Sequence, residues 1–418
     1  MPVMEFGEKY RERTMIVKKI AVVTTTRAEY GLLHPVIKEL RKFEGQGLFV
    51  ELIVSGTHLS REYGYTMEEI EEAGDRIDRK ITIPTDSADP GSISKNQAEA
   101  LIKFTELFDA EKYSAVVLLG DRYEMLAVAI AAGNTRTPVF HIAGGDTTEG
   151  ALDEWIRHSI SKIAYLHFTT NEESRRRVIQ LGEDPERVFN YGSTSIDNII
   201  TTADMSKAEA LESIGLTEYS GTMASECRYA LCTYHPVTNE GGDVAEQVNS
   251  LLSAIRYFPD IQFIVTKANA DQGGARINAL LDEAAGEIAN LHVYASLGVR
   301  RYLSLMKSAE FVLGNSSSGI IETPAFHVPT VNIGDRQRGR LQSESILNCG
   351  SETQDIVDAI RLAMSDAHRA VCRKVVSPYG DGHAAQRIAA KTVEIVNAGS
   401  IDLKKTFYDI GVEGCEND

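Results

Sequence analysis

Residues 115–145 read AVVLLGDRYEMLAVAIAAGNTRTPVFHIAGG and contain the pattern that decides the fold. The apolar run 115–119 predicts a buried strand, the stretch EMLAVAIAA predicts a helix, and PVFHIA at 138–143 predicts a second strand. A strand, a helix and a second strand in succession are typical of a parallel sheet with helices on its faces. Glycines end both strands, at Gly120 and at Gly144. The stretch therefore predicts one unit of a doubly wound α/β domain.

The same alternation of short β-branched runs and longer amphipathic stretches extends along the chain in both directions. In the first half, the further predicted strands are 17–23, 49–54, LHFTT at 166–170 and RVFNYG at 187–192. In the second half, they are 230–235, 261–267, 291–295, 310–314 and 329–334. Two such series predict two doubly wound domains, each with a parallel sheet covered on both faces.

The domain boundaries follow from the point where the series restarts. We expect an N-terminal Rossmann-like domain over 18–200 and a C-terminal Rossmann-like domain over 201–380. Residues 201–226 are small, polar and weakly periodic, which suits a linker region. A last amphipathic helix is expected at 383–397, after a turn cluster of Ser, Pro, Tyr and Gly.

Composition excludes several classes of protein. Of the 418 residues, 43% are hydrophobic and 25% are charged, which is ordinary for a globular protein. The net charge of −17 opposes non-specific binding to nucleic acid or an anionic membrane, but it allows a local basic pocket for a phosphorylated ligand. Five scattered cysteines without CxxC spacing indicate free thiols in a reducing compartment. Because the charged N-terminus lacks the apolar core of a signal peptide, we expect a cytoplasmic protein.

Ligands of doubly wound sheets lie at the carboxyl ends of the strands, so polar residues just after each predicted strand are candidates for a site. Arg27 follows the first strand and precedes a helix, where it suits an anion; a solvated arginine in a capping turn is an equal alternative. Asp121 and Arg122 follow the strand 115–119 directly. They form either a buried ion pair or an acid–base group with a phosphate clamp.

A cluster of histidine and carboxylates follows the strand 138–143. It contains His141, Asp146, Asp153 and Arg157, with further acidic residues between them. Histidine and several carboxylates at neighbouring strand ends are the composition of a proton-transfer site. For His141 alone, a satisfied core histidine is the more common case, but the clustering favours function.

The second half carries polar residues of a different kind. A strand joins a helix through GNSSSG, where small hydroxyl residues and glycines at a helix N-terminus predict an anion cradle. A glutamate further along that helix suits sugar hydroxyls, and a loop after the next strand contains three arginines. No metal-ligand spacing such as HExxH is present. The residues concerned are His235, Asn269, Ser316, Ser317, Glu322 and Arg336.

Eight motifs in this order resemble the hydrolysing UDP-N-acetylglucosamine 2-epimerases of sialic-acid synthesis, over nearly the whole chain. They are TRAEYG, SGTHLS, GDRYE, HIAGGD, DEWIRHSI, YHPVT, GNSSSGIIE and NIGDRQRGR. The resemblance implies a GT-B-like fold of the α/β class, with two Rossmann-type domains facing a cleft and the last helix crossing back to the first domain. It implies conversion of UDP-N-acetylglucosamine and water to UDP and N-acetylmannosamine, by elimination to a glycal and then hydration. It further implies no cofactor, no metal and a homodimer or homotetramer, and the apolar helix around 125–132 adds surface for such an assembly.

The resemblance also implies roles for individual residues. Two carboxylates match catalytic positions of the family, arginines match positions near the phosphates, and a tyrosine lies where a side chain approaches uracil. With the proton-transfer cluster above, the candidate catalytic residues are Asp121, His141, Asp146, Asp153 and His235. The candidate substrate-binding residues are Arg27, Arg122, Arg157, His235, Asn269, Tyr302, Ser316, Ser317, Glu322 and Arg336.

One position departs from the family pattern. Many members read HIEGGE where this chain reads HIAGGD, so Ala143 stands in the place of a glutamate. Alanine cannot transfer a proton. Either Asp146, Glu149 or His141 replaces that glutamate, or the substrate is different, such as the UDP-2,4-diacetamido-2,4,6-trideoxyglucose of the legionaminic-acid route. A GT-B glycosyltransferase and a nucleotide-sugar-binding protein without turnover remain as alternatives from other classes.

Overall fold

The strands form two parallel sheets. A computed structural model of the chain describes residues 17–45, 47–61, 63–85, 90–147, 152–219, 222–235, 244–268, 274–399 and 401–411. The strands of the first sheet are β1 (Lys18–Thr24), β2 (Leu48–Ser55), β3 (Arg79–Ile81), β4 (Ala115–Leu119), β5 (Val139–Ile142), β6 (Leu166–Thr169) and β7 (Val188–Asn190). A short antiparallel hairpin follows, made of β8 (Glu218–Tyr219) and β9 (Thr222–Met223). The strands of the second sheet are β10 (Tyr229–Thr233), β11 (Gln262–Thr266), β12 (Leu291–Tyr294), β13 (Phe311–Gly314), β14 (Thr330–Ile333) and β15 (Ile346–Cys349).

Helices connect the strands and cover both sheets. In the first half they are α1 (Arg27–Arg41), α2 (Met67–Glu72), α3 (Pro90–Ala110), α4 (Tyr123–Asn134), α5 (Leu152–Ile163), α6 (Glu172–Gln180), α7 (Thr194–Thr202) and α8 (Lys207–Glu212), with 3-10 turns at Gly56–Leu59 and Pro185–Arg187. In the second half they are α9 (Val244–Arg256), α10 (Gly274–Ala285), α11 (Gly298–Ser308), α12 (Ser318–Ile321), α13 (Thr323–Phe326), α14 (Thr353–Ala363), α15 (Asp366–Cys372) and α16 (Ala384–Asn397). No helix in the described ranges is long and apolar enough to span a bilayer.

The two sheets share one topology. The first runs in the order β3-β2-β1-β4-β5-β6-β7, and the second runs β12-β11-β10-β13-β14-β15. The strand order therefore reverses between β1 and β4 in the first sheet and between β10 and β13 in the second. Doubly wound sheets bind ligands at such reversal points, beyond the carboxyl ends of the strands. The predicted fold class is confirmed, and the topology directs attention to four strand ends.

Helix α4 explains why the GDRYE segment is held rigidly. Residues 125–129 of α4 are at most 7% exposed, because α3 and α5 pack on either side of it. The apolar surface of 125–132, offered above as a reason to expect an oligomer, is thus covered within the chain itself. The segment 201–226, expected as a linker region, holds the end of α7, all of α8 and the β8–β9 hairpin.

Helix α16 packs against α1 of the first sheet, although it follows the second sheet in the sequence. Its buried face includes Ile388 and Ala389, which are both 0% exposed and belong to the hydrophobic core between α1 and the first sheet. Asp197 of α7 caps its first turn, since the carboxylate accepts hydrogen bonds from the amides of Ala384 at 3.2 Å and Ala385 at 2.9 Å. An acidic cap satisfies amides that have no partner within the helix. The start of α16 is therefore fixed by the element that leads out of the first sheet.

Candidate functional site

Asp121 lies at the carboxyl end of β4 and is oriented by Arg157 of α5. The Arg157 Nε donates to Asp121 Oδ2 at 2.8 Å, and Nη2 donates to the same oxygen. Arg157 is 3% exposed and also donates to Glu154 at 3.1 Å and to the carbonyl of Asp146 at 2.6 Å. No described residue donates to Asp121 Oδ1, and the side chain is 27% exposed. An oriented carboxylate with one uncommitted oxygen is suited to accept a proton from a bound substrate.

Arg157 lies behind Asp121, in the interior of the first domain. The sequence analysis predicts it as a substrate-binding residue, whereas its burial and its three partners favour an orienting role. Asp153 lies in the first turn of α5 and is partly buried. Its predicted catalytic role stays a prediction.

His141, at the end of β5, is enclosed and hydrogen-bonded on both ring nitrogens. Nε2 lies 2.8 Å from the carbonyl of Gly120, and Nδ1 lies 3.3 Å from Ser161 Oγ. Burial lowers the pKa of the imidazole to about 3, so the ring is neutral at physiological pH. The Nε2–H donates to the carbonyl and ties the end of β4 to β5. This geometry fits the satisfied core histidine better than a group that exchanges protons with a substrate.

Asp146 follows Gly145, where the backbone conformation and the close packing require a glycine. That residue has φ of +83°, and a Cβ there lies 2.3 Å from the Ser174 carbonyl. Asp146 Oδ1 accepts hydrogen bonds from Thr170 Oγ1 at 2.7 Å, Ser174 Oγ at 2.5 Å and Asn171 Nδ2 at 3.5 Å. The carboxylate is thereby turned toward the start of α6, and one of its oxygens is saturated.

Ala143 puts no titratable side chain at the position just after β5. Its φ is +64°, and its amide donates to the Phe168 carbonyl at 2.9 Å, so the backbone is fixed in a conformation unusual for alanine. Glu149, one of the proposed substitutes, lies outside the described residues. Asp121 and Asp146 are the described carboxylates that directly follow β4 and β5.

Two buried glutamates lie where β1 and β4 end, and the sequence analysis did not select either of them. Glu29 is 4% exposed and Glu124 is 0% exposed. The signal for Glu29 is the spacing T-x-x-E from Thr26, which forms a capping box at the start of α1. Two of the predicted substrate-binding arginines lie at the same strand ends. Arg122 pairs with Glu124 at 3.4 Å, and Arg27 pairs at 3.0 Å with an exposed glutamate of α2.

In the second domain, Asn315 joins the ends of β10 and β13. Its side chain accepts from the amide of His235 at 2.7 Å and donates to the carbonyl of His235 at 2.8 Å. Its own carbonyl accepts from Arg336 Nη1 at 2.9 Å and Gln337 Nε2 at 2.8 Å. The preceding Gly314 has φ of +125°, and a Cβ there lies 2.0 Å from a carbonyl of β10. Asn315, which the sequence analysis missed, therefore brings His235 and Arg336 together.

The predicted anion cradle differs in one respect from the expectation. Ser316 and Ser317 precede α12, which has only four residues and supplies little helix dipole. Glu322 lies just beyond α12, and its Oε2 is shielded from solvent and has no hydrogen-bond partner among the described residues. Burial raises the pKa of Glu322 to about 7, against a hydrogen bond from Ser318. Burial, and next the charge of Glu322, raise the pKa of Tyr302 to about 12.

The two domains meet around these strand ends. Thr147 Oγ1, after β5, donates to the Gly339 carbonyl, after β14, at 3.0 Å. A cavity is lined from the first domain by Asp146 and Arg177 and from the second half by Arg340 and Tyr379. Asn269 lies outside the described residues. Within the described ranges, no group of three or more His, Cys, Asp or Glu side chains is arranged to hold a metal ion.

The sheets and their facing strand ends define a two-domain scaffold of the GT-B-like class. A family model described as UDP-N-acetylglucosamine 2-epimerase matches residues 41–392. The chain belongs to this family, as the eight motifs predict.

Relatives match over nearly the whole chain. The chain is 37% identical over 401 residues to the GDP/UDP-N,N'-diacetylbacillosamine 2-epimerase (hydrolyzing) of Campylobacter jejuni, covering 94% of this chain and 99% of that protein. It is 35% identical over 394 residues to polysialic acid biosynthesis protein P7 of Escherichia coli, covering 94% and 98%. The crystal structure of UDP-GlcNAc 2-epimerase from Neisseria meningitidis bound to UDP-GlcNAc is similar in fold, with a TM-score of 0.74, 20% identity and coverage of 90% and 100%.

Proposed function

We propose that this protein is a hydrolysing 2-epimerase that converts a UDP-linked 2-acetamido sugar and water to UDP and the free sugar epimerised at carbon 2. A base removes the proton from carbon 2, and its electron pair forms the double bond to carbon 1. The bond from carbon 1 to the diphosphate oxygen breaks, and UDP leaves with the electron pair of that bond. Water then adds its oxygen to carbon 1 and gives up one proton to a base, while an acid delivers a proton to carbon 2 on the opposite face.

The observation that carries this proposal is the orientation of Asp121. A buried arginine holds one carboxylate oxygen and leaves the other uncommitted at the end of β4. We assign the proton at carbon 2 to that oxygen. Asp146 or Asp153 is the candidate for returning a proton to the opposite face, because a single carboxylate reaches only one face of the ring.

The second domain supplies groups for the nucleotide. Arg336 and His235, joined through Asn315, together with the hydroxyls of Ser316 and Ser317, stabilise the departing diphosphate. Such donors act most strongly where charge develops in the transition state. Glu322 accepts hydrogen bonds from the ribose hydroxyls, and this contact satisfies its unpartnered oxygen.

Two substrates have support of different kinds. UDP-2,4-diacetamido-2,4,6-trideoxyglucose is our first choice, because the relative at 37% identity is named for that sugar and because Ala143 replaces a family glutamate. UDP-N-acetylglucosamine is the second candidate, favoured by the description of the family.

The experiment is incubation of the purified protein with each UDP-sugar separately, following UDP release and the free sugar by proton NMR. We expect UDP and a manno-configured free sugar from at least one of them, with the larger kcat/KM for the diacetamido sugar. A larger kcat/KM for UDP-N-acetylglucosamine reverses our choice of substrate. UDP release only when a sugar acceptor is added supports a glycosyltransferase instead. UDP binding without release of UDP from either sugar supports a binding protein.

A further inference from the structure

Three charged side chains, called the cluster below, lie at the starts of α1 and α4, which begin just beyond the paired strands β1 and β4. The cluster consists of Glu29, Arg122 and Glu124. Both carboxylates are withdrawn from solvent, with Glu29 4% and Glu124 0% exposed, whereas the Arg122 side chain is 44% exposed. The family resemblance places Arg122 near the phosphates, and the proposed reaction gives neither glutamate a role.

The two oxygens of Glu29 have opposite environments. Oε2 accepts hydrogen bonds from the Thr25 amide and the Thr25 hydroxyl, both at 2.8 Å, and from the Thr26 amide at 3.1 Å. Oε1 is buried and has no hydrogen-bond partner among the described residues. A proton on Oε1 leaves all three bonds to Oε2 intact. Protonation therefore removes a buried charge without breaking the capping box.

Glu124 is the member of the cluster that contacts Arg122. Its Oε2 lies 3.4 Å from Arg122 Nε, and its Oε1 lies 3.5 Å from Nη2. Two ionised carboxylates beside one guanidinium leave one excess negative charge, and both carboxylates are buried. Burying an unpaired charge is costly, so one of the carboxylates is favoured in its neutral form.

Within the part of the chain that the structure describes, the other titratable groups near the cluster supply no second positive charge. On α1, Arg27 is turned outward to Glu69, at 3.0 Å. On the 3-10 turn that packs against Thr25, burial lowers the pKa of His58 to about 4, so the ring is neutral at pH 7. On α4, burial and the charge of Glu124 raise the pKa of Tyr123 to about 12. Asn96 of α3, next to Tyr123, is not ionisable.

We propose that Glu29 and Glu124 carry a single negative charge between them at neutral pH, with Glu29 protonated on Oε1, and that this arrangement keeps Arg122 available to the diphosphate. Both glutamates are positioning residues, and the inference rests on the proposed function for the identity of the anion. With one carboxylate neutral, the cluster has no net charge. With both ionised it has a charge of −1, which opposes an incoming diphosphate.

The pH at which the cluster changes charge lies near neutrality. Burial, and next the charge of Glu124, raise the pKa of Glu29 to about 7, while the Thr25 hydrogen bonds oppose the rise. UDP affinity is therefore expected to weaken as the pH rises through 7. One unit charge a few side-chain lengths away changes affinity by about tenfold at an effective dielectric constant near 20.

Infrared spectroscopy detects the protonated carboxyl group directly. Protonated carboxylic acids have a carbonyl band apart from that of carboxylates, and the proposal requires such a band to titrate near pH 7. Because burial also raises the pKa of Glu322 to about 7, the comparison uses wild type, Glu29→Gln, Glu322→Gln and the double variant. We expect Glu322→Gln to retain a titrating band that the double variant lacks. Identical spectra for those two variants overturn the proposal, and circular dichroism verifies that each is folded.

The effect on Arg122 is measured by calorimetric titration of UDP at about pH 6 and about pH 8. The titration of UDP itself is common to both proteins, so the comparison of wild type with Glu29→Gln isolates the glutamate. We expect wild-type affinity to fall about tenfold more than that of Glu29→Gln over this interval. Equal pH dependence in the two proteins shows a structural role only and overturns the proposal. If UDP does not bind wild type at either pH, the proposed function fails, while the infrared result still reports on the proton of Glu29.

Discussion

Replacing Asp121 by asparagine removes one charge from the ion pair that orients the candidate base. Arg157 then keeps Glu154 at 3.1 Å and the Asp146 carbonyl at 2.6 Å, but it loses its shortest charged contact. Breaking a fully buried pair costs about 3–5 kcal/mol, and a surface pair contributes about 0–1 kcal/mol. Because Asp121 is 27% exposed, we expect a loss of about 2 kcal/mol in the free energy of unfolding.

The same substitution removes the proton acceptor, so the expected loss in kcat is much larger than the loss in stability. General acid–base groups contribute about 10²–10⁴-fold, which is at least ~3 kcal/mol of activation free energy. UDP affinity is expected to change by less than about threefold, because Asp121 bonds to Arg157 and most of the groups proposed to bind the nucleotide lie beyond the second sheet. Thermal melting, steady-state kinetics and calorimetry measure the three quantities.

Asp358→Asn is the matched control, since Asp358 forms an ion pair at 3.2 Å with Arg361 and both side chains are about 60% exposed. It is expected to leave melting, kcat and UDP affinity unchanged. A folded Asp121→Asn protein with wild-type kcat refutes the assignment of the base. A parallel fall in kcat and UDP affinity refutes the division of labour between the two sheets.

Three further predictions concern stability. UDP at about 100 times its dissociation constant is expected to stabilise the fold by about 2.7 kcal/mol, and Ser316→Ala is expected to need more UDP for the same shift in melting temperature. Because the folded pKa of Glu29 is raised to about 7, its proton stabilises the fold at low pH, and this contribution is lost as the pH rises from about 4.5 to 7. Glu29→Gln is expected to reduce the fall in the free energy of unfolding over this pH interval by about 3 kcal/mol, as measured by urea unfolding. An unchanged dependence of that free energy on pH contradicts this. Hydrogen bonds from His167, Lys162 and Lys405 outweigh burial and lower the pKa of Glu183 to about 2. The ionised carboxylate therefore adds to the free energy of unfolding above about pH 4.5, and this contribution is lost toward pH 2. Lys405→Met is expected to unfold at higher pH than wild type in an acid titration, and an unchanged midpoint excludes this role for the C-terminal segment.

Most of the fold follows from local patterns. The strand 115–119 has the bounds expected from its apolar run, and the last helix, expected at 383–397, begins one residue later than expected. Which helices pack against each other depends on contacts between distant parts of the chain, and the sequence pattern did not indicate these contacts. The 21-residue helix α3 has a weakly patterned sequence, and its role as the cover of α4 is visible only in three dimensions.

For the site, the sequence indicated which strand ends matter but not where the side chains point. Asp121 and Arg157 are far apart in the chain, and their pairing depends on how α5 packs beside β4. His141 and Asp146 have the composition of a proton-transfer site, yet the histidine is enclosed and the aspartate is turned to α6. These differences arise because a hydrogen-bond partner, rather than residue type, sets which carboxylate faces a ligand.

The reaction at carbon 2 is tested most directly by turnover in deuterium oxide, with either UDP-sugar as substrate and the product examined by NMR. Removal of the carbon 2 proton and its replacement from solvent on the opposite face predicts a manno-configured free sugar with one deuterium at carbon 2. Asp121→Asn is expected to form this product at least about 100-fold more slowly. Release of UDP with the gluco configuration retained and protium at carbon 2 contradicts the account, since it shows simple hydrolysis without epimerisation.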